Sequence, residues 1–394
     1  MNHFKEKNLL IIAHNYNSFQ KDQIEELANY FNKVYVLVRY KPIAELYRLF
    51  KIKSLQKHMK INAINDRVKP SNVLIYPMPV FYLPLDFIYR HLGIRLFYKA
   101  RKIIKNEQLT FDIIHAHFAW TSGYIGYRLK NEYNVPLAIT VHGSSRYIKY
   151  LKSPLWTKLI NKVFEGSDIL IPVSERNAMN VRSFKNTGNI SVIPNGYNRN
   201  VFFPQDKYVS RKKLDLHENR LILLNIGYLQ EVKGQEYLLK SVSILKENYP
   251  DILCIIIGEG ELRRKLSEKI VELNISENVL MVGYKEHHEI PIWINACDLF
   301  VLPSLSEGNP TVMFETLGCG KPYVGTAVGG VPEIINSEDY GFLCRVKNPE
   351  ELAEIVKKAL SKKWDYSAII NYSKQFSWDE ICKKIISEYS KVLS

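Results

Sequence analysis

Short apolar runs ending in Gly, Asn or Ser recur along the 394-residue chain and alternate with stretches of helical period. In the first half the predicted strands are NLLIIAH, KVYVLVRY, NVLIYPMP, DIIHAHF, LAITVHG, DILIPVS and ISVIPNG. In the second half they are LILLNIG, ILCIIIG, NVLMVGY, DLFVLPS, PYVGTA and GFLCRV. Near-continuous β-branched runs, rather than strict alternation, are what strands buried on both faces require. Strands alternating with helical segments predict an α/β chain with parallel sheets, whose ligands bind beyond the carboxyl ends of the strands.

The chain is too long for one typical core, so two domains are expected. The polar, proline-containing passage VFFPQDKYVSRKKLDLHENR (201–220) is the natural boundary. It separates an N-terminal domain, residues 1–204, from a C-terminal domain, residues 205–376. Hydrophobic content of 46% and charged content of 24% are ordinary for a globular protein. The apolar run in MNHFKEKNLLIIAHNYN is too short for a signal peptide and reads as a first strand, and no stretch approaches a membrane-spanning length. Five widely spaced cysteines without a C-x2-C pair argue against disulfides and a zinc site and fit a reducing cytoplasm.

Charge changes the picture more. Residues 1–205 carry 30 Lys and Arg against 13 Asp and Glu, and the remainder 24 against 27, so the net +14 belongs wholly to the first half. An anionic partner for that half follows: a phospholipid surface, a lipid diphosphate or a nucleic acid. Two segments sharpen this. RYKPIAELYRLFKIKSLQKHMK (39–60) sets Ile43, Leu46, Tyr47, Phe50 and Leu55 among seven basic residues and one acid. FYLPLDFIYRHLGIRLFYKARKIIK (81–105) combines aromatics with Arg90, Arg95, Lys99, Arg101, Lys102 and Lys105. Each alone reads equally well as a core-packed helix with solvated lysines; together they favour a membrane interface.

The candidate chemistry lies in SEGNPTVMFETLGCGKPYVGTAVGGVPEII, residues 306–335. Glu307 and Glu315 stand eight apart, with a Gly308–Asn309–Pro310 turn before an apolar helix. Pro310 suits the first turn of that helix, whose free amides around Thr311 favour an anion such as a phosphate. Eight residues of helix would separate the carboxylates by about 12 Å near one face. A nucleotide-sugar is a sugar, a diphosphate and a ribose in a row, and a carboxylate at each end with amides between would suit it. In LILLNIGYLQEVKGQEYLLKSV (221–242) a buried strand, a glycine turn at Gly227 and a helix follow one another, with Lys233 in the connection as a cation for phosphate.

These two segments resemble the donor half of the retaining GT-B glycosyltransferases of family four, which carry an E-x7-E motif and a G-x-L-x3-K-G loop. AITVHGSS (138–145), SDILIPVSE (167–175), ISVIPNGYN (190–198), IIIGEGELRRKL (255–266), VGYKEHHEIPIWINACDLFVLPS (282–304) and FSWDEICKKIISEYSKVL (376–393) extend the resemblance over most of the chain. The resemblance implies two Rossmann-like domains facing each other across a cleft, with the C-terminal helix, 377–394, crossing back to the first. It implies that Glu307 and His142 are the catalytic positions, Glu307 holding sugar hydroxyls, and that Glu315 binds the ribose. Lys233, Gly227, Gly308, Asn309, Pro310 and Thr311 would surround the diphosphate, and Tyr284 and Lys285, after Gly283, would lie against the base. Where relatives commonly have an arginine after Gly227 this chain has Tyr228, which brings one hydroxyl and no charge. The first loop, HNYNSFQKDQ, lacks the glycine pair many relatives place there. A strand-end histidine such as His142 serves as well for a structural cap. His115 and His117 resemble a metal pair without a third ligand and read as strand-end residues.

The function implied is retaining transfer of a hexose from a UDP- or GDP-sugar to a glycan or lipid-linked acceptor in envelope polysaccharide synthesis. The enzyme would sit in the cytoplasm, peripheral on the inner face of the membrane. No cofactor is implied; with no D-x-D motif, no metal is required. A nucleotide-sugar 2-epimerase of the same fold is disfavoured by the E-x7-E segment. A nucleic-acid partner is disfavoured by the lack of a binding module.

Overall fold

The computed structural model describes residues 2–43, 60–81, 85–143, 153–184 and 187–393. The chain divides into two compact units, Met1–Pro194 with Trp378–Ser394, and Asn195–Ser377.

The first unit is built on a parallel sheet of β1 (Asn8–Ala13), β2 (Lys33–Tyr40), β3 (Val73–Pro79), β4 (Ile113–His117), β5 (Leu137–Val141), β6 (Ile169–Pro172) and β7 (Asn189–Ile190). Its order is β3-β2-β1-β4-β5-β6-β7. Every residue of β4 and β5 is buried, as expected of strands covered on both faces. β7 is far shorter than the run ISVIPNG suggests. Beyond it, Ser191 and Ile193 still donate backbone bonds to Leu170 and Pro172, so the segment follows β6 without a regular ladder.

Helix α1 (Ser18–Ala28) covers one face of this sheet, and α2 (Asp86–Asn106) and α3 (Pro154–Glu165) contribute to the core on the other. α2 buries Leu92, Leu96, Phe97, Ala100 and Ile104. Its outer side exposes Phe87, His91, Ile94, Tyr98, Lys102 and Lys105, the reverse of the usual amphipathic arrangement at three of those positions. Trp156 Nε1 donates to Asp86 Oδ1 at 3.1 Å, which brings the exposed Leu155 of α3 to the start of α2. The other basic segment, 39–60, lies outside the described residues from 44 to 59.

The second unit carries β8 (Ile222–Ile226), β9 (Leu253–Ile257), β10 (Val279–Gly283), β11 (Leu299–Leu302), β12 (Tyr323–Thr326) and β13 (Gly341–Cys344), again all parallel. The order β10-β9-β8-β11-β12-β13 reverses direction between β8 and β11, which places a topological switch point beyond their carboxyl ends.

The division falls ten residues before the expected boundary at 204, because the polar passage is tethered to the second unit by buried groups. Phe202 joins its core, and Gln205 N donates to Asn295 Oδ1 at 2.8 Å. In α4 (Lys207–Lys213) Arg211 is buried and donates to Ala296 O at 2.9 Å and Asp298 Oδ2 at 2.7 Å. The C-terminal helix, here labelled α8 (Trp378–Ser390), belongs to the first unit. Trp378, Ile381, Cys382, Ile385, Ile386 and Tyr389, at helical spacing, join Phe4, Ile24, Leu27 and Phe31 in its core. Full burial of side chains of this size is favourable by about 1.5–3 kcal/mol each.

Candidate active site

Three strand-end connections of the second unit meet at one place. After β8 the chain turns through Gly227 and a short helical turn, Glu231–Lys233, into α5 (Gln235–Leu245). Gly234 joins them with φ +67°, and a Cβ there would lie 2.0 Å from Pro303 O. Only glycine permits this approach. Leu305 N donates to Val232 O at 2.8 Å, so the connection after β8 is held to the one after β11. On the other side Gly329, with φ +56°, packs where a Cβ would fall 1.9 Å from Glu307 O, and Gly330 N donates to Gly308 O at 2.8 Å.

Clamped between these loops, Glu307 receives two donors on one oxygen. Lys233 Nζ and Ser304 Oγ each lie 2.6 Å from Glu307 Oε1. The Glu307 side chain is only 10% exposed, and the lysine balances the buried carboxylate. Glu307 does not lie on the helix. The helical segment α7 (Thr311–Gly318), preceded by α6 (Ile290–Ala296), begins after Pro310, which occupies the N-cap rather than the first turn. The helical rise therefore does not set the separation of the two carboxylates. The N-terminus of α7 has no side-chain cap; Met313 N turns back to Pro310 O at 3.1 Å, and the amides of Thr311 and Val312 before it suit an anion. Asn309 is buried and pairs with Asn195: its Oδ1 accepts from Asn195 N at 3.1 Å and its carbonyl from Asn195 Nδ2 at 2.7 Å.

Glu315 sits in the middle of α7, its side chain 8% exposed, and His287 Nε2 donates to its Oε1 at 2.8 Å. His287 and Ser304 were not singled out by sequence. The only signals were HHE soon after the Gly283–Tyr284 loop and a serine three residues before Glu307. Gly227 packs beside the aliphatic stem of Lys233. Tyr228 and Tyr284 expose their side chains at the ends of β8 and β10. Lys285 places its Nζ 3.7 Å from Glu289 and over the Trp293 ring, beside a pocket of about 470 Å³ that Val201 and His288 also line.

In the first unit, His142 follows β5 and is buried. Its Nε2 is 3.1 Å from His117 Nδ1, at the end of β4. His115 places Nε2 2.7 Å from Thr140 Oγ1 and Nδ1 against the Tyr389 hydroxyl of α8. His115 and His117 are thus buried within the sheet core, tied to a third histidine and to the C-terminal helix. Burial pushes the His117 imidazole down to about 4. It also holds His142 and His115 well below the ordinary value, with the neighbouring His117 adding to the effect. All three are neutral near pH 7. Among the described residues no group of three or more His, Cys, Asp or Glu could hold a metal ion.

Residues 206–376 match the family model "Glycosyl transferases group 1", and residues 56–201 match "Glycosyltransferase Family 4". An uncharacterized glycosyltransferase of Methanocaldococcus jannaschii is 27% identical over 351 residues, 87% of this chain and 92% of that one. The N-acetyl-alpha-D-glucosaminyl L-malate synthase of Bacillus anthracis is 25% identical over 339 residues, 84% of this chain and 85% of its own. Among solved structures, Anabaena HepE in complex with UDP superposes with a TM-score of 0.74 at 18% identity, covering 98% of this chain and 100% of that one, a likeness of fold. With the two models matched in turn along the chain and two parallel α/β units that share their fold with GT-B glycosyltransferases, the chain is a glycosyltransferase, similar to group 1 over residues 206–376 and to family four over residues 56–201.

Proposed function

We propose that the enzyme transfers a hexose from a UDP- or GDP-sugar, with retention of configuration, to a glycan or lipid-linked acceptor in envelope polysaccharide synthesis. The observation that carries the donor reading is the Lys233–Glu307 pair at 2.6 Å, with Glu315 eight residues on in α7. Glycosyl transfer leaves negative charge on the departing diphosphate and positive charge at the anomeric carbon. Lys233 and the amides of Thr311 and its neighbours supply fixed positive charge for the first. Glu307, oriented by Ser304, accepts hydrogen bonds from sugar hydroxyls. Glu315 takes the ribose.

Tyr228 adds no charge at the diphosphate, so Lys233 and the α7 N-terminus carry the neutralisation. For His142 the proposed role is a neutral hydrogen-bond donor to a sugar hydroxyl; its depressed basicity keeps it from competing as a cation. The leaving phosphate itself takes the proton of the incoming hydroxyl on the same face, so Glu307 forms no covalent sugar adduct and no metal is needed.

HepE was solved with UDP, which makes UDP-sugars the first donors to try. A panel of UDP- and GDP-sugars in EDTA, with product configuration read by proton NMR, tests the reading. Turnover of no donor, an inverted product, or a glycosyl adduct on Glu307 by mass spectrometry would overturn it. An anionic membrane as partner is supported by the basic first half and the apolar outer face of α2. No described helix is long and apolar enough to cross a membrane.

A further inference from the structure

Glu315 is a carboxylate buried in a helix whose neighbouring residues, Met313, Phe314 and Leu317, are core. A buried carboxylate needs compensation, and among the described residues its side-chain hydrogen bond comes from His287 Nε2, 28 positions earlier in the chain. That histidine is itself held from two directions. Glu286 and Glu289 form a reciprocal capping box around the short turn His287–Glu289, and the buried Phe202 ring packs on the imidazole at 5.0 Å between centroids. A partner so constrained sets the plane of the carboxylate. Among the described residues one carboxylate oxygen is hydrogen-bonded, and an ionised carboxylate offers about four lone-pair sites. The remainder suits two adjacent hydroxyls.

We propose that His287 is a positioning residue for the ribose end of the donor site, orienting Glu315 to accept both hydroxyls of a nucleotide cis-diol and thereby selecting ribonucleotide over deoxyribonucleotide donors. The proposal rests on the reading of Glu315 as the ribose ligand.

Calorimetric titration of the whole protein with UDP, 2′-deoxy-UDP and 3′-deoxy-UDP, and with the corresponding GDP series, separates the two. The wild type prefers the ribonucleotide, and Glu315→Ala erases that preference. His287→Ala weakens ribonucleotide binding by roughly tenfold or more, the worth of a hydrogen bond to a charged group, while deoxy analogues change by no more than about twofold. His287→Gln, which keeps an N–H donor and similar reach, restores a large part of the preference. His287→Asn, whose donor falls short of the carboxylate, gives the same comparison as Ala if the latter does not fold. If Glu315→Ala leaves the preference intact, or the wild type has none, the ribose reading of Glu315 fails. If Glu315→Ala erases it but His287→Ala weakens all nucleotides equally, or none, His287 is only structural and this inference fails alone.

Discussion

Lys233 Nζ and Glu307 Oε1, 74 positions apart in sequence, meet at 2.6 Å because glycines at 234 and 329 let three strand-end loops pack backbone to backbone. The lysine proposed to meet the diphosphate is therefore held by the carboxylate proposed to meet the sugar. Removing either should be felt in the transition state more than in the ground state. Lys233→Ala is expected to lower kcat/KM by roughly 10²–10³, the cost of a lost electrostatic stabiliser, and Glu307→Ala to lower mainly kcat. Glu315→Ala should instead raise the donor KM with kcat nearly kept. Steady-state kinetics on the donor found in the panel checks this; small, equal effects of both glutamates on both parameters would mean the pair is misassigned.

The three buried histidines make stability depend on pH. In the fold they stay neutral, whereas the unfolded chain takes up protons near the ordinary 6.5. Their contribution is complete above that value and declines as pH falls toward about 4, where His117 protonates in the fold. Each histidine so depressed gives a slope of about 1.4 kcal/mol per pH unit, and His117 alone accounts for about 3 kcal/mol. Urea unfolding at pH 7.5, 6 and 5 should show the loss, and His117→Gln, which keeps a hydrogen-bonding amide toward His142, should flatten it by one proton. An unchanged slope would show that His117 does not titrate as its burial demands.

Arg211 is buried and binds Ala296 O, Glu218 O and Asp298 Oδ2, while Lys207 and the Ile222 amide also reach the same aspartate. Without Arg211 the aspartate keeps Lys207 and the Ile222 amide, but the Ala296 and Glu218 carbonyls lose their donor. Arg211→Ala should destabilise the second unit by about 1–3 kcal/mol, the cost of buried groups left unpaired, and Arg211→Lys should recover only part, since an ammonium cannot span three acceptors. Thermal unfolding of the two variants beside wild type measures it; a Tm within about a degree of wild type for the alanine variant would show the network adds little.

Arg211 also shows what sequence alone conveys. The strands were legible because burial on both faces writes them as apolar runs; Glu307, Glu315 and Lys233 were candidates by their spacing within two continuous segments, and the fold brings Lys233 to Glu307. The burial of Phe202 and Arg211 was not legible, since VFFPQDKYVSRKK reads as a polar boundary passage and only tertiary contact reveals it. His287 was missed for the same reason, since it gains meaning only when the connection after β10 reaches the helix that carries Glu315, whereas Ser304 is a local contact three residues before Glu307 with no distinctive spacing. His117 does end β4, but both it and His115 are buried, and His115 is tied to α8 through Tyr389, a partner 274 positions away.

The outer face of α2 gives the last prediction. Phe87, Ile94 and Tyr98 are exposed at helical spacing, with Leu85 exposed just before the helix, Phe81 exposed and held through its carbonyl by Arg95, and Lys102 and Lys105 exposed further along. Three large apolar side chains facing water on a helix whose other side fills the core have no role in folding. In an interface they gain burial while the cations meet anionic headgroups, each worth about 1 kcal/mol near such a surface. Sedimentation with vesicles containing phosphatidylglycerol should retain the protein at low salt and release it progressively as salt rises. Phe87→Glu with Ile94→Glu should abolish retention while leaving the Tm and the donor affinity unchanged. Retention undiminished in the double variant would move the membrane contact away from α2, and no retention of the wild type at low salt would remove the membrane as a partner.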